Sequence, residues 1–210
     1  MAMGMGSVYY WAITAVLMAL VLFLLAIPYL SNNVWDTKGK NADKKTARVF
    51  SRFGRSRGGR VLREVTIRHD GKTASLGTVL LLPWGLVIAD TLGCKGNYYG
   101  DAASEQWVLT SGDERTVLPN PLKTQREATM LLREYLAASK LYNIRVETLV
   151  VYTNKSKDTT VFVDGLGKQE QHTVLPIGKL ARYLEKDRFE ADNGVNIEAL
   201  AALLAENQGR

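Results

Sequence analysis

Few side chains in this sequence are spaced for catalysis. The two histidines, His69 and His172, lie far apart, so no Cys/His cluster exists to hold a structural zinc. The single cysteine, Cys94, has no histidine near it in sequence and cannot form an intramolecular disulfide, which fits a structural thiol in a reducing compartment better than a nucleophile. Gly165-Leu166-Gly167-Lys168 lacks the spacing and the Ser or Thr of a phosphate loop and reads as a turn between strands. His69 adjoins an Asp-Gly turn and is expected at the solvent surface. Carboxylates are what remain. The most pointedly placed is Asp90, which closes the apolar stretch Gly85-Leu86-Val87-Ile88-Ala89; by residue type alone it is an Asx cap of the turn that follows.

The elements that would carry these residues come after a charge-free start. Residues 8–30 (VYYWAITAVLMALVLFLLAIPYL) form a run of 23 uncharged positions, against the roughly 20 apolar residues with which an α-helix crosses a bilayer. Tyr9, Tyr10 and Trp11 at one end and Tyr29 and Trp35 at the other suit the two interfaces. A cleaved signal peptide is the competing reading, but it needs a basic leading region and a shorter apolar core. Residues 36–60 then hold Lys38, Lys40, Lys44, Lys45, Arg48, Arg52, Arg55, Arg57 and Arg60 against Asp36 and Asp43. That local +7 exceeds the net +6 of the whole chain, so the other residues together carry −1. The basicity therefore marks a juxtamembrane segment and not a DNA-binding face of the domain.

With no Lys or Arg before the apolar run and nine after it, the positive-inside rule places the N-terminus outside the inner (cytoplasmic) membrane and the rest of the chain in the cytoplasm. The expected partners are the lipid bilayer through residues 8–30 and anionic headgroups through residues 36–60, unless the basic run is only a topology signal.

The remaining sequence alternates strand and helix patterns. Residues 31–43 read as a polar stalk, and Ala47, Val49, Phe50 and Phe53 as the apolar positions of a short basic helix ending at Gly54. Residues 60–69, 73–82 and 86–91 read as three strands of an antiparallel meander, with Val79–Leu82 and Leu86–Ala89 apolar enough to be buried on both faces. A Gly-rich loop, 93–100, precedes short strands at 106–109 and 115–118. The segment 121–140 has Ala128, Leu131, Leu132, Tyr135 and Leu136 at helical spacing, with Pro121 in its first turn. Strands at 144–153 and 159–163 and helices at 177–186 and 197–206, the last capped by Asn196, complete an α/β domain with a mixed central sheet flanked by helices.

Residues 83–125 hold a longer ordered pattern: a strand of glycine, four apolar residues and an acid, then Gly96-x-x-x-Gly100, Trp107 before a turn, and Asn120-Pro121-x-x-x-Gln125 opening a helix. Gly85, Val87, Ile88, Ala89, Asp90, Gly96, Tyr98, Gly100, Trp107, Asn120, Pro121 and Gln125 fall on positions that resemble the nuclease-related domain (NERD) family over about residues 45–155. The resemblance implies a restriction-endonuclease-like fold and metal-dependent phosphodiester hydrolysis, in which carboxylates hold Mg²⁺ or Mn²⁺ and a lysine orients or deprotonates the water.

The sequence departs from that pattern where the chemistry is. Asp90 stands at the acidic position, but the lysine position two residues on is Leu92, and the partner aspartate expected about thirteen residues earlier falls at Gly77. The glutamate of the family's N-terminal helix has no secure counterpart, Glu64 being the nearest and lying in a predicted strand. The expectation is a degenerate site with no metal or other cofactor, kept as a module that binds a protein or nucleic acid. Asp90 would be a metal ligand only if carboxylates or amines such as Glu64, Asp70, Glu105 and Lys95 had taken over the missing roles. A membrane-tethered nuclease or DNA-processing accessory is the second reading. A small subunit of a membrane assembly, packing through Gly4, Gly6, Ala12, Ala15 and Ala19, is the third. The expected layout is a tail (1–7), a transmembrane helix (8–30), a basic linker with a short helix (31–60), the nuclease-related domain (61–165) and a helical extension (166–210).

Overall fold

The computed structural model describes residues 15–18, 20, 41–142, 144–154, 157–167, 173–186 and 189–206. The chain divides into two compact units, Met1–Lys38 and Gly39–Arg210. In the first, residues 15–18 and 20 are helical and exposed. Most of the expected span 8–30 lies outside the described residues, among which no helix is long and apolar enough to cross a membrane.

In the second unit, the two apolar runs become the middle of a mixed five-stranded sheet. Strands β1 (Arg60–Leu62), β4 (Thr78–Leu82), β5 (Gly85–Leu92), β9 (Arg145–Tyr152) and β11 (Val174–Pro176) lie in the order β1-β4-β5-β9-β11. The β1, β4 and β5 neighbours run antiparallel, whereas β9 is parallel to β5 and β11 is parallel to β9. Strand alternation divides this sheet into two apolar faces. Leu80, Leu82, Val87, Ala89, Leu149 and Val151 pack with Phe50 and Phe53 of α1 (Ala42–Arg55) and with Leu180 and Leu184 of α3 (Ile177–Leu184). Val79, Leu81, Leu86 and Ile88 pack with Ala128, Leu132 and Leu136 of α2 (Pro121–Ala138) and with Leu200 and Leu204 of α4 (Ile197–Glu206). Both faces are covered, which is why the sequence shows no alternation there.

A second, four-stranded sheet has the order β10-β6-β7-β8, from β6 (Gly96–Asp101), β7 (Gln106–Ser111), β8 (Glu114–Pro119) and β10 (Thr159–Asp164). Its inner face carries Tyr98, Trp107 and Leu109, which pack against Leu122 of α2 and Val150 of β9. A separate hairpin, β2 (Thr66–His69) with β3 (Lys72–Ser75), turns through Asp70 and Gly71, both at positive φ as a tight hairpin requires.

Five expectations change. The stretches 60–69 and 73–82 are each two strands, because Glu64 (φ 55°) and Gly77 (φ 60°) break the extended backbone and fold the intervening hairpin away from the sheet. Glu64 therefore sits at a break and not within a strand. The Gly-rich loop 93–100 is largely strand β6, in which Gly100 is held to glycine because a Cβ would run into the Trp107 ring. His69 is half-buried, edge-on to Tyr135 at 5.9 Å, since its hairpin lies along α2. The stalk ends sooner than expected, so Asp43 belongs to the first turn of α1. Finally, residues 166–210 are more than a helical extension: β11 closes one edge of the central sheet, and α3 and α4 complete its two faces. Asn196 caps α4 as expected, its Oδ1 accepting the Ala199 N–H at 3.0 Å.

Candidate functional site

Asp90 occupies the sixth position of β5, beside Val150 on β9 and against Gly77, the residue just before β4. Alternation turns Asp90 toward the side of Leu86 and Ile88 and turns Thr91 toward α1. There the Thr91 hydroxyl donates to the Asp43 carboxylate, so strand β5 and the first turn of α1 meet at this end of the sheet. Burial, and after it the charge of Asp43, pushes the Asp90 carboxyl up to about 7. Asp43, held by Thr91 on the other side of the strand, is thus within electrostatic reach of Asp90, whose carboxyl keeps its proton well above the usual carboxylate range.

The motif residues around this corner build the scaffold. The Asn120 Oδ1 accepts the Leu122 and Lys123 N–H groups at the start of α2, while its Nδ2 donates to the carbonyls of Asp101, Ala102 and Ser104. Pro121 follows in the first turn, where a missing N–H costs nothing. Gln125 is buried and donates through Nε2 to the Leu149 carbonyl at 2.6 Å, one residue along β9 from the neighbour of Asp90. Trp107 donates through Nε1 to the Asp101 carbonyl at 3.2 Å. Gly85 and Gly96 stand where a Cβ would meet the carbonyls of Arg145 and Thr110. One spaced set of residues therefore stitches α2, β9 and the second sheet together beside the strand that carries Asp90.

A family model matches this arrangement: the nuclease-related domain, over residues 38–153. The chain belongs to the nuclease-related domain family. No curated protein matches it.

Within this nuclease-related domain, the residues present do not complete a nuclease metal centre of the usual kind. Gly77 faces Asp90, but a side chain there would begin 2.7 Å from Asp90 Oδ1 on a backbone at φ 60°, so an aspartate at this position is closed off by geometry as well as absent. Leu92, at the lysine position, packs with Tyr98, Trp107 and Leu122 in the apolar seam between the sheets. Among the described residues no group of three or more His, Cys, Asp or Glu is arranged to hold a metal ion. Mg²⁺ sites can use one or two carboxylates with substrate oxygens and water, but the nearest second acid, Asp43, is bonded to Thr91, which faces away from Asp90 across the strand. Among the described residues nothing completes such a centre around Asp90, and Leu92 puts no amine in the water-activating place.

The other predicted residues are dispersed. Glu64 and Asp70 are exposed at turns, and Glu105 pairs with Lys123. Lys95 is half-buried between β5 and β6. Of the nine basic residues, Lys38 and Lys40 lie outside the described residues, and Lys45 is half-buried. Lys44, Arg48, Arg52 and Arg55 are exposed and, at spacings of four, four and three, form one stripe along α1. Arg57 lies over the Phe53 ring at 4.0 Å and pairs with Glu190, and Arg60 pairs with Glu198. The residue that sequence reasoning missed is Asp43. An acid in the first turn of a helix, four residues before the apolar series that begins at Ala47, was the available signal.

Proposed function

We propose that this nuclease-related domain is a binding module that keeps the fold and does not cleave, held at the cytoplasmic face of a membrane by residues 8–30. The single observation that carries the reading is the pair of residues beside Asp90, with glycine in the partner-acid position and Leu92 half-buried against the seam where the lysine would stand. The raised Asp90 carboxyl also favours binding over cleavage, because a carboxyl titrating near 7 is a weakened cation ligand at neutral pH. The stripe of Lys44, Arg48, Arg52 and Arg55 is the anion-facing side of the module, against lipid headgroups.

The test is a cleavage assay on the full chain with single- and double-stranded DNA, first in Mg²⁺ and then in Mn²⁺, beside Asp90→Ala. No cleavage from folded protein is expected. Cleavage that Asp90→Ala removes overturns the reading.

The second reading, a membrane-tethered nuclease or DNA-processing accessory, is favoured by Asp90 itself, an acid kept near the end of the strand as the family pattern has it, since Mg²⁺ can be held by one or two carboxylates with substrate phosphate and water. Under that reading Asp90→Ala removes activity, and Lys95 is the amine to substitute next. The small residues of the membrane-subunit reading lie, apart from Ala15, outside the described residues.

A further inference from the structure

The outer face of the four-stranded sheet is open to solvent. Register aligns Phe162 on β10, Tyr99 on β6, Val108 on β7 and Val117 on β8 in one row straight across all four strands. Phe162 is 51% exposed, Tyr99 43% and Val117 56%, a concentration of apolar surface that isolated surface residues do not produce. The Tyr99 and Phe162 rings already stack on each other, 5.1 Å apart and 11° from parallel, so their order does not have to be created on contact. Charges sit at the ends of the flanking rows. Arg115 on β8 lies to one side of the apolar row, and Asp164 on β10, with Asp101 beside it on β6, lies to the other.

We propose that this face joins two copies of the chain, sheet against sheet, about a two-fold axis. The inference goes beyond the function proposed above and stands whether or not the Asp90 corner is catalytic. Arg115 and Asp164 occupy diagonally opposite corners of the patch. A two-fold axis that crosses the two sheets near a right angle, one of the standard packings of sheet faces, lays apolar row across apolar row and brings each Arg115 against Asp164 of the other copy, twice. A face with one acidic and one basic corner is complementary to itself. Asp101 and Asp164 at the same rim repel phosphates, so a nucleic-acid strand is the poorer occupant.

The experiment uses the full chain in mild detergent, with Cys94→Ser throughout so that no native thiol interferes. Arg115 and Asp164 are three strands apart, roughly 14 Å from strand spacing alone, well beyond the ~7 Å between Cα atoms that a disulfide spans. A chain carrying Arg115→Cys and Asp164→Cys can therefore form that bond only between copies. Mild oxidation is expected to give a covalent dimer much faster than the same chain with a single Ser51→Cys on exposed α1. Without the added cysteines, Phe162→Glu is expected to weaken self-association by roughly tenfold or more. Arg115→Asp alone also weakens it, and adding Asp164→Arg restores it, with an unchanged thermal midpoint showing that the fold is intact. The proposal is overturned by a chain that stays monomeric across concentration, by a dimer indifferent to Phe162→Glu and to the charge exchange, or by a pure monomer whose sheet face binds a different macromolecule.

Discussion

The two sheets of this domain solve the same problem differently. The central sheet is clad on both sides, by α1 and α3 on one face and α2 and α4 on the other, and its middle strands have no exposed residue from Thr78 to Leu82. The four-stranded sheet buries one face on α2 and β9 and leaves the other open. The Asp90 corner sits where they meet. Asp90 and Thr91 there are only half-buried, unlike the central core, and the supporting hydrogen bonds reach out to the second sheet through Asn120 and Trp107. The residues that hold the corner in shape are thus drawn from both sheets, and its stability depends on both.

Four measurements break or sharpen that contrast. The largest effect is expected at the inner face of the second sheet, where Trp107→Ala removes a fully buried ring and should cost about 4 kcal/mol in denaturant unfolding. A loss below 1 kcal/mol would mean that the second sheet is not cooperative with the first.

Next comes pH. The folded Asp90 carboxyl, at about 7, holds its proton more tightly than an ordinary carboxyl at 3.8, so the native state binds an extra proton between those values. Stability should fall as pH rises through that window, with a slope of up to about 1.4 kcal/mol per unit from this one group. Asp90→Asn should flatten the slope, leaving the variant more stable than the parent at pH 8 and equal to it near pH 4. Parallel stability curves for the two proteins would refute the buried-acid account.

Asn120→Ala follows, at about 2 kcal/mol, because it uncaps α2 and strands carbonyls that now accept from Nδ2. The smallest effect is expected at the open face, where Val117→Thr should change stability by less than ~0.5 kcal/mol at a concentration too low for self-association. A larger loss would show that this face is covered within one chain.

What the sequence disclosed follows the same division. Val79–Leu82 and Leu86–Ala89 were readable because burial on both faces leaves nothing but apolar residues. Helix α2 was readable because it has one buried stripe and a proline start. Glu64 was unreadable as a break, since a non-glycine residue at positive φ announces nothing in its type. Strand β6 was hidden by its own glycines, whose purpose depends on Trp107 and Thr110, residues that become neighbours only once the sheet forms. Strand β11 is three residues long, too short for any period to show. At the site, Asp90 and the position of Gly77 could be aligned by spacing, and Gly77 does stand against Asp90. Asp43 could not, because its contact with Thr91 spans 48 residues and crosses from a helix to a strand.

The inherited unit and the folding unit of this protein have different lengths. The family match stops at residue 153, whereas β11 begins at Val174 and pairs with β9 in register from Val150. A gene segment cut at the family boundary would therefore encode a parallel strand with a bare edge, an α1 face without Leu180 and Leu184, and an α2 face without Leu200 and Leu204. Open edges of that kind recruit other chains. For recombination, for truncation by proteases and for the design of domain fusions, the piece that keeps both faces of the central sheet covered reaches to the end of α4.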